Sequence, residues 1–458
     1  MAFPLTAELG RFIEQTRNED IPADVAATVC AAFVDTVGVM IAGREEPAPK
    51  LVQAMLDPAG KEAMLATGNG RASALDAAWI NGTAAHALDY DDVAQQGGHA
   101  SAVLVPAILA EAEAIGASGA DVIRAYAVGY EVFAELARRD SDQHHEKGWH
   151  PTGIFGAIGA AAAGAALRRL DAAKASMALA LAASQSGGLT SNFGTMTKPF
   201  HAGRGAHTGV SSARLAALGF TAGMDTLEHQ PGFLSAVSPK GRVDLDSPPA
   251  FKADGWAILN RNRLAVKKYP MCYCAHRALD GALDLRRAHA IDATKIDWVK
   301  VSLSPRNAQI LLNHAPRTGL EAKFSIEFAM ATTLGAGRAG LGELQDGFVQ
   351  RADVQALMQR VSVEEEPRND PQRPGYAIHD RVRVGLADGT VLDSGAISQV
   401  RGDPELPLRT EELKTKFTDC VHAGNERIDA DRLYGVLMSL NQATDLKALV
   451  ACMQPSLH

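Results

Sequence analysis

Residues 153–167 read GIFGAIGAAAAGAAL, 15 consecutive positions without a charge or a side-chain hydrogen-bonding group. A helix that is apolar on every side has to be covered. This one is shorter and less hydrophobic than the roughly 20 apolar residues a membrane crossing needs. It therefore predicts a helix buried inside protein, and its alanines and glycines let neighbouring helices come close. Pro151 before it and Arg168 and Arg169 after it suit the two ends of a helix dipole. The segments around it have the same character. Residues 23–43 (ADVAATVCAAFVDTVGVMIAG), SALDAAWINGTAAHALD, AVLVPAILAEAEAIGASG and ADVIRAYAVGYEVFAELARR all keep apolar residues three and four apart. Pro22, Gly43, Gly116 and Asp121 stand where helix starts and stops are expected. Residues 1–265 thus read as one all-helical domain.

The pattern changes near Lys267. IDWVKVSLS (296–304) reads as a strand, with Ile296, Trp298, Val299 and Val301 as its strand-like positions. Asp388-Gly389 sits between two short apolar runs, a hairpin signal. VQALMQRVSVEEE looks like a helix running into a strand. Residues 266–405 therefore read as a smaller α+β domain. After Pro404 and Pro407 the chain returns to helix, and 406–458 is expected to pack back on the helical domain. The fold class is mainly α, with an α+β part.

With 458 residues and 47% apolar side chains, the chain can build large cores. A net charge of −8 leaves no basic excess for nucleic acid, although a local patch could still hold a small anion. The five cysteines (Cys30, Cys272, Cys274, Cys420 and Cys452) are odd in number and sparse, which suggests free thiols in a reducing compartment. MAFPLTAELGRF lacks a basic segment followed by an apolar run, so no signal peptide is expected. A cytoplasmic protein with no membrane contact is the default expectation.

Four polar stretches interrupt this apolar background. Ser191–Gly209 (SNFGTMTKPFHAGRGAHTG) reads as a basic, glycine-hinged loop between helices. There Lys198, Arg204 and His201 could meet a carboxylate or a developing enolate, or simply face water. His86-Ala-Leu-Asp89-Tyr90-Asp91-Asp92, followed by Gly97-Gly98-His99, puts three carboxylates and two histidines within 14 residues. Asp89 and His86 lie three apart and would share a helix face, so Asp89 could orient a histidine for acid/base work. The plainer reading makes Asp91 and Asp92 helix caps. His150 precedes the proline-started helix, near its positive end, where an imidazole resists charging. Lys267-Lys268-Tyr269-Pro270-Met271-Cys272-Tyr273-Cys274-Ala275-His276 contains C-x-C-x-H, but no second cluster completes four zinc ligands. HHEKGWH fails the H-E-x-x-H spacing, GRGAHTG is not a dinucleotide fingerprint, and neither a Walker loop nor a nucleophile elbow occurs. This favours chemistry run by side chains alone.

Taken in order, HALDYDD with GGHASAVLVPA, GWHPTGIFGAIGAA, NFGTMTKPFHAGRGAHTG, KKYPMCYCAH and EAKFSIEFA resemble the MmgE/PrpD family. The likeness runs from about residue 80 to 330, and the flanking organisation also fits. The resemblance implies a large helical domain with a smaller α+β lid, a homodimer, and a small di- or tricarboxylate as substrate. It also implies that no metal, iron–sulfur cluster or nucleotide is needed. Carried over position by position, the family's catalytic residues fall on Asp89, His99, His150, Lys198 and Lys267. His201, Arg204, Tyr273 and His276 are candidates for holding substrate between domain and lid. The shared chemistry removes a proton beside a carboxylate, followed by loss of water, loss of carbon dioxide, or reprotonation. Three positions depart from the decarboxylase pattern. Phe328 stands for a tyrosine and has no proton to donate; Val93 stands for a threonine; a histidine is replaced near Cys272. A 2-methylcitrate dehydratase-like hydro-lyase is the leading expectation. The alternatives are an iminodisuccinate-type epimerase, which NFGTMTKP and EAKFSIE resemble, and a binding protein that has kept only the fold.

Overall fold

The computed structural model describes residues 2–66, 68, 70–94, 98–250, 255–260, 264–371 and 375–453. Gly97 of the histidine-rich stretch lies outside them. The fold is mainly helical with small sheets. The chain divides into two compact units. One comprises residues 1–192, 196–266 and 409–458; the other comprises 193–195 and 267–408.

The first unit is built from helices that pack through small residues. Pro151–Leu167 is buried along its whole length, as its composition requires. It packs against Gly119–Arg138 on one side and Thr197–Ala217 on another. Ser118 caps Gly119–Arg138 by accepting from the Asp121 N–H, while Asp121 reaches back to the cap, a reciprocal arrangement that fixes where the helix begins. Ser101–Ile115 ends at Gly116 in the left-handed conformation (φ 69°).

The basic stretch is where the structure departs most from expectation. Lys198 to Gly209 is not a glycine-hinged loop; Thr197–Ala217 is one unbroken helix. Its glycines serve contact instead of chain reversal. A Cβ on Gly203 would stand 2.2 Å from Thr83 Oγ1 and 2.4 Å from the Trp79 carbonyl, and one on Gly209 would stand 2.3 Å from Ala160 Cβ. Tertiary approach outweighs the roughly 1 kcal/mol that each helical glycine costs. Pro199 lies in the first turn, where its missing N–H is harmless.

Ala23–Gly43 is by length and composition the one described helix apolar enough to cross a membrane, but most of it is covered by the first unit. Asp35 in its middle pairs with Lys416 of the Thr410–Gly424 helix at 2.5 Å, the arrangement of a core helix. All five cysteines are buried and free.

The second unit contains a four-stranded sheet ordered Val361–Glu365, Ile296–Leu303, Arg381–Leu386, Val391–Asp393. The first pair is parallel and the others antiparallel, with the Asp388-Gly389 hairpin at the edge (Gly389 φ 87°). A register shift between Ile296 and Trp298 puts Val299, Val301 and Leu303 in the core and leaves Trp298 half-buried, so simple alternation from Ile296 fails. Phe328, in the Ile326–Ala336 helix, is fully buried among apolar side chains.

Candidate active site

The helix Ala74–Ala87 ends one residue after His86, and the chain reverses through Leu88–Asp92. Asp89 at the reversal has φ 51°, a left-handed conformation that aspartate tolerates better than most residues. The reversal corrects the expectation that His86 and Asp89 share a helix face. It carries Asp91 back instead, so that both Asp91 oxygens lie 3.0 Å from His86 Nδ1. His99 Nδ1 lies 2.9 Å from Asp91 Oδ2, while its Nε2 is 3.8 Å from Asp89. Asp91 therefore accepts from His86 and stands at ion-pair distance from His99, and Asp89 is ion-paired with Lys198 in the first turn of Thr197–Ala217. The orienting carboxylate is Asp91, not Asp89.

His99 is held from its other side. Its backbone N–H donates to Thr152 Oγ1 at 3.0 Å, which ties the turn to the start of Pro151–Leu167. His150 occupies the cap position of that helix, as expected, and its Nδ1 lies 3.1 Å from Nδ1 of His201. Two facing Nδ1 atoms share one proton, so one of the pair donates and the other accepts. The rings gather closely: His86–His99 centroids are 4.4 Å apart, His86–His150 5.6 Å and His150–His201 5.3 Å. All these side chains, and those of Asp89, Asp91 and Lys198, are buried.

Burial decides the protonation of this cluster. It drives His86 down to about 3; Asp91 pulls the other way, and Lys198 and His99 push further down. Burial, then the Lys198 ammonium, holds His150 well below the ordinary imidazole range and His201 at about 4. Burial alone would raise Asp91, but the imidazoles of His86 and His99 outweigh it and keep the carboxyl well below its usual range. At neutral pH Asp91 is ionised and His86, His150 and His201 are neutral imidazoles. These are poised to take protons, as buried titratable groups at active sites often are. His86 Nε2 is buried without a hydrogen-bond partner among the described residues, so its lone pair is uncommitted.

Donor atoms of His86, Asp89, Asp91 and His99 lie within 4.8 Å of one another, and imidazole and carboxylate are cation ligands. Yet Lys198 already sits on Asp89, and both Asp91 oxygens face imidazole nitrogens. A cation would have to displace that ammonium, so the donor set fits proton traffic better.

On the other side of the same turn, Asp92 accepts from Ser101, whose hydroxyl lies 2.5 Å from the Tyr126 hydroxyl. Burial, then the neighbouring Asp35, lifts Asp92 well above the carboxylate range. Lys416 braces the turn from the Thr410–Gly424 helix. It donates to the Tyr90 carbonyl at 2.8 Å, and its ammonium stands 4.1 Å from the Tyr90 ring centroid.

The remaining expected residues are elsewhere. Arg204 stacks over Trp79 at 4.6 Å and lies 3.2 Å from His207, so the structure does not bring it into the cluster through any of these contacts. Lys267, Tyr273 and His276 belong to the second unit. Lys267 is fully buried there. The Tyr273 hydroxyl donates to Asp403 at 3.1 Å, and His276 Nε2 donates to the Met271 carbonyl at 3.1 Å. His86 and Asp91 are the members that sequence reasoning left out of the site. Their spacing of five positions signals a pair only if the helix ends between them.

Two family descriptions match this chain: MmgE/PrpD N-terminal domain over residues 7–246, and MmgE/PrpD C-terminal domain over residues 269–433. A cis-aconitate decarboxylase of Homo sapiens is 29% identical over 354 residues, covering 74% of this chain and 71% of the human protein. The Mus musculus cis-aconitate decarboxylase is 28% identical over 351 residues, covering 74% and 70%. A cis-aconitate decarboxylase of Aspergillus terreus is 24% identical over 472 residues, covering 97% and 95%.

Proposed function

Because the chain belongs to the MmgE/PrpD family and is an enzyme of the lyase or isomerase type, we propose that it abstracts a proton from the carbon beside a carboxylate of a small di- or tricarboxylic acid. The observation that carries this reading is the set of buried imidazoles, with His86, His150 and His201 uncharged, packed around the Lys198–Asp89 ion pair and anchored by Asp91. His99 or His150 takes the proton, Asp91 holds His99 in the tautomer that leaves Nε2 as the base, and His201 shares a proton with His150. A positioned acid or base contributes about 10²–10⁴-fold. Lys198 has three N–H donors, so while it keeps Asp89 it can also meet the enolate oxygen. An ammonium at about 4 Å from that oxygen contributes roughly 4 kcal/mol at an effective dielectric near 20. The family resemblance assigns Lys267 a share in the same charge stabilisation.

Loss of water follows if a second acid protonates a leaving hydroxyl, and a 2-methylcitrate dehydratase-like hydro-lyase is our reading. The decarboxylase relatives support a lyase over an isomerase. Decarboxylation of cis-aconitate itself is disfavoured by Phe328, an apolar core residue where the decarboxylase pattern has a tyrosine. The second reading, epimerisation of an iminodisuccinate-like acid, rests on the NFGTMTKP and EAKFSIE segments.

Proton NMR in deuterated buffer separates the readings across 2-methylcitrate, citrate, cis-aconitate and iminodisuccinate. A hydro-lyase yields a new alkene signal. Deuterium appearing at the α-carbon with no alkene rejects the dehydratase in favour of the epimerase. Unchanged turnover in Lys198→Ala and His150→Ala variants rejects the site.

A further inference from the structure

The second unit contains a cluster that the proposed chemistry does not use. Arg277 lies in the first turn of His276–His289, Arg306 and Asn307 in the first turn of Pro305–Ile310, and Asp380 just before the Arg381–Leu386 strand. Tyr376 lies near both arginines: the guanidinium carbons of Arg277 and Arg306 stand 5.7 Å and 5.5 Å from its ring centroid. Arg277 Nη1 donates to the Ala377 carbonyl at 2.8 Å and lies 3.6 Å from Asp380. Ser304 donates to the Gly375 carbonyl at 3.0 Å and accepts from the Asn307 N–H, which fixes the two segments to each other. A Cβ on Gly375 would stand 2.5 Å from Arg306 Cδ, so the Arg306 stem lies where only glycine leaves room.

Beyond the Arg277–Asp380 ion pair and the bond to the Ala377 carbonyl, many polar atoms of this cluster are buried without a hydrogen-bond partner among the described residues. Arg277, Asn307 and Asp380 are almost completely enclosed. Nε and Nη2 of Arg277, Nε and Nη1 of Arg306 and the Asn307 amide nitrogen have no hydrogen-bond partner among the described residues. The same holds for Asn307 Oδ1 and both Asp380 oxygens. Buried polar groups in folded proteins are almost always paired, and buried charges more strictly still. The donors point to an oxyanion that a guanidinium fork can hold. The acceptors point to a ligand that also carries a hydroxyl or amino group. Inorganic phosphate would satisfy the first set, leave the second, and repel Asp380 when ionised. Burial lifts the Asp380 carboxyl to about 7, with Arg277 pulling the other way, so near neutrality the cluster keeps an excess of positive charge.

We propose that Arg277, Arg306, Asn307 and Asp380 form a binding site for a small hydroxy- or aminocarboxylate, the guanidinium groups holding its carboxylate and Asn307 with Asp380 its hydroxyl or amine. The proposal does not rest on the proton-abstraction reading, since none of the family-implied residues belongs to the cluster.

Calorimetric titration of the full chain tests it, with citrate, tricarballylate (the same carboxylates without the hydroxyl) and inorganic phosphate as probes. The Lys198→Ala background removes turnover. Citrate is expected to bind, tricarballylate several-fold more weakly, and phosphate more weakly still. Arg306→Met should weaken citrate at least tenfold, and Arg306→Lys should recover part of the loss. Arg306 is only half-buried, and a thermal unfolding curve matching the parent shows that the variant folds. Citrate binding that changes less than twofold in Arg306→Met overturns the site, as does absence of binding in the parent. Two sources of the carboxylate are then separated in the active enzyme. If it belongs to the substrate, Arg306→Met raises KM with kcat kept; if it belongs to an effector, citrate still binds at saturating substrate. Arg306-dependent binding in a protein that turns over none of the acids would retire the proposed reaction and keep this site.

Discussion

Asp91 and Asp92 are adjacent carboxylates on one turn, both enclosed, and the two sides of the turn treat them in opposite ways. Asp91 faces the imidazoles of His86 and His99 and stays ionised; Asp92 faces Ser101, Tyr126 and the Asp35 carboxylate and is held neutral. Residue type and depth are the same, so the partners alone decide. Imidazole N–H groups turned toward a carboxylate favour its charged form, whereas a second carboxylate opposes it. The histidine side is thus a place where charge can move, and the hydroxyl side a place where it is excluded. The two sides meet in a turn in which Asp89 holds Lys198.

The largest expected effect lies on the histidine side. Asp91→Asn keeps the shape but cannot hold both imidazoles as an anion does, and kcat should fall by about 10²–10⁴-fold with folding intact. A loss below threefold in single-turnover measurements would dissolve the contrast. Next comes the brace. Lys416→Met removes one partner of a buried ion pair, a change that costs roughly 3–5 kcal/mol, and it also frees the Tyr90 carbonyl. Thermal unfolding should drop markedly, kcat should fall more than KM rises, and Lys416→Arg should restore much of both. Stability lost without any change in kcat would show that the brace serves the fold alone.

Acid should act through the histidine side as well. His86 takes a proton near 3 in the folded chain, and His144, His201 and His207 near 4, in each case chiefly through burial. Unfolded imidazoles titrate near about 6.5. Between those values the unfolded chain binds more protons, so these groups favour the folded state above about 6.5 and lose that contribution as pH falls toward 4. Unfolding midpoints recorded from pH 7 to 4.5 should therefore decline, and a flat profile would argue against neutral buried histidines. The smallest effect belongs to the hydroxyl side. Asp92→Asn mimics the neutral acid already present, so turnover should stay within about threefold and stability within about 1 kcal/mol. A loss as large as that of Asp91→Asn would make the two carboxylates alike after all.

Much of this architecture was legible in the sequence. Pro151 at a helix start, Asp121 in a first turn, Gly116 at a helix end and the all-apolar 153–167 run act locally, and local signals survive in one dimension. His99, His150, Lys198 and Asp89 were visible through family resemblance, and the structure gathers those four. What could not be read depended on distant partners. Gly203 and Gly209 look like hinges until Thr83 and Ala160 are placed against them. Asp91 looks like a cap until the left-handed Asp89 swings it under His86. Arg277, Arg306 and Asp380 carry no shared motif, and only the fold sets two of them around Tyr376.

The brace from Lys416 has a consequence for the chain as it leaves the ribosome. Lys416 follows the Tyr90 carbonyl it holds by 326 positions. At about 5–20 residues per second, translation leaves this turn unbraced for roughly 16–65 s. Throughout that interval the Ala23–Gly43 helix presents an aspartate with no lysine opposite it. This turn therefore completes its framework only once the Thr410–Gly424 helix is made, so a nascent chain holds the apolar scaffold well before it holds the brace.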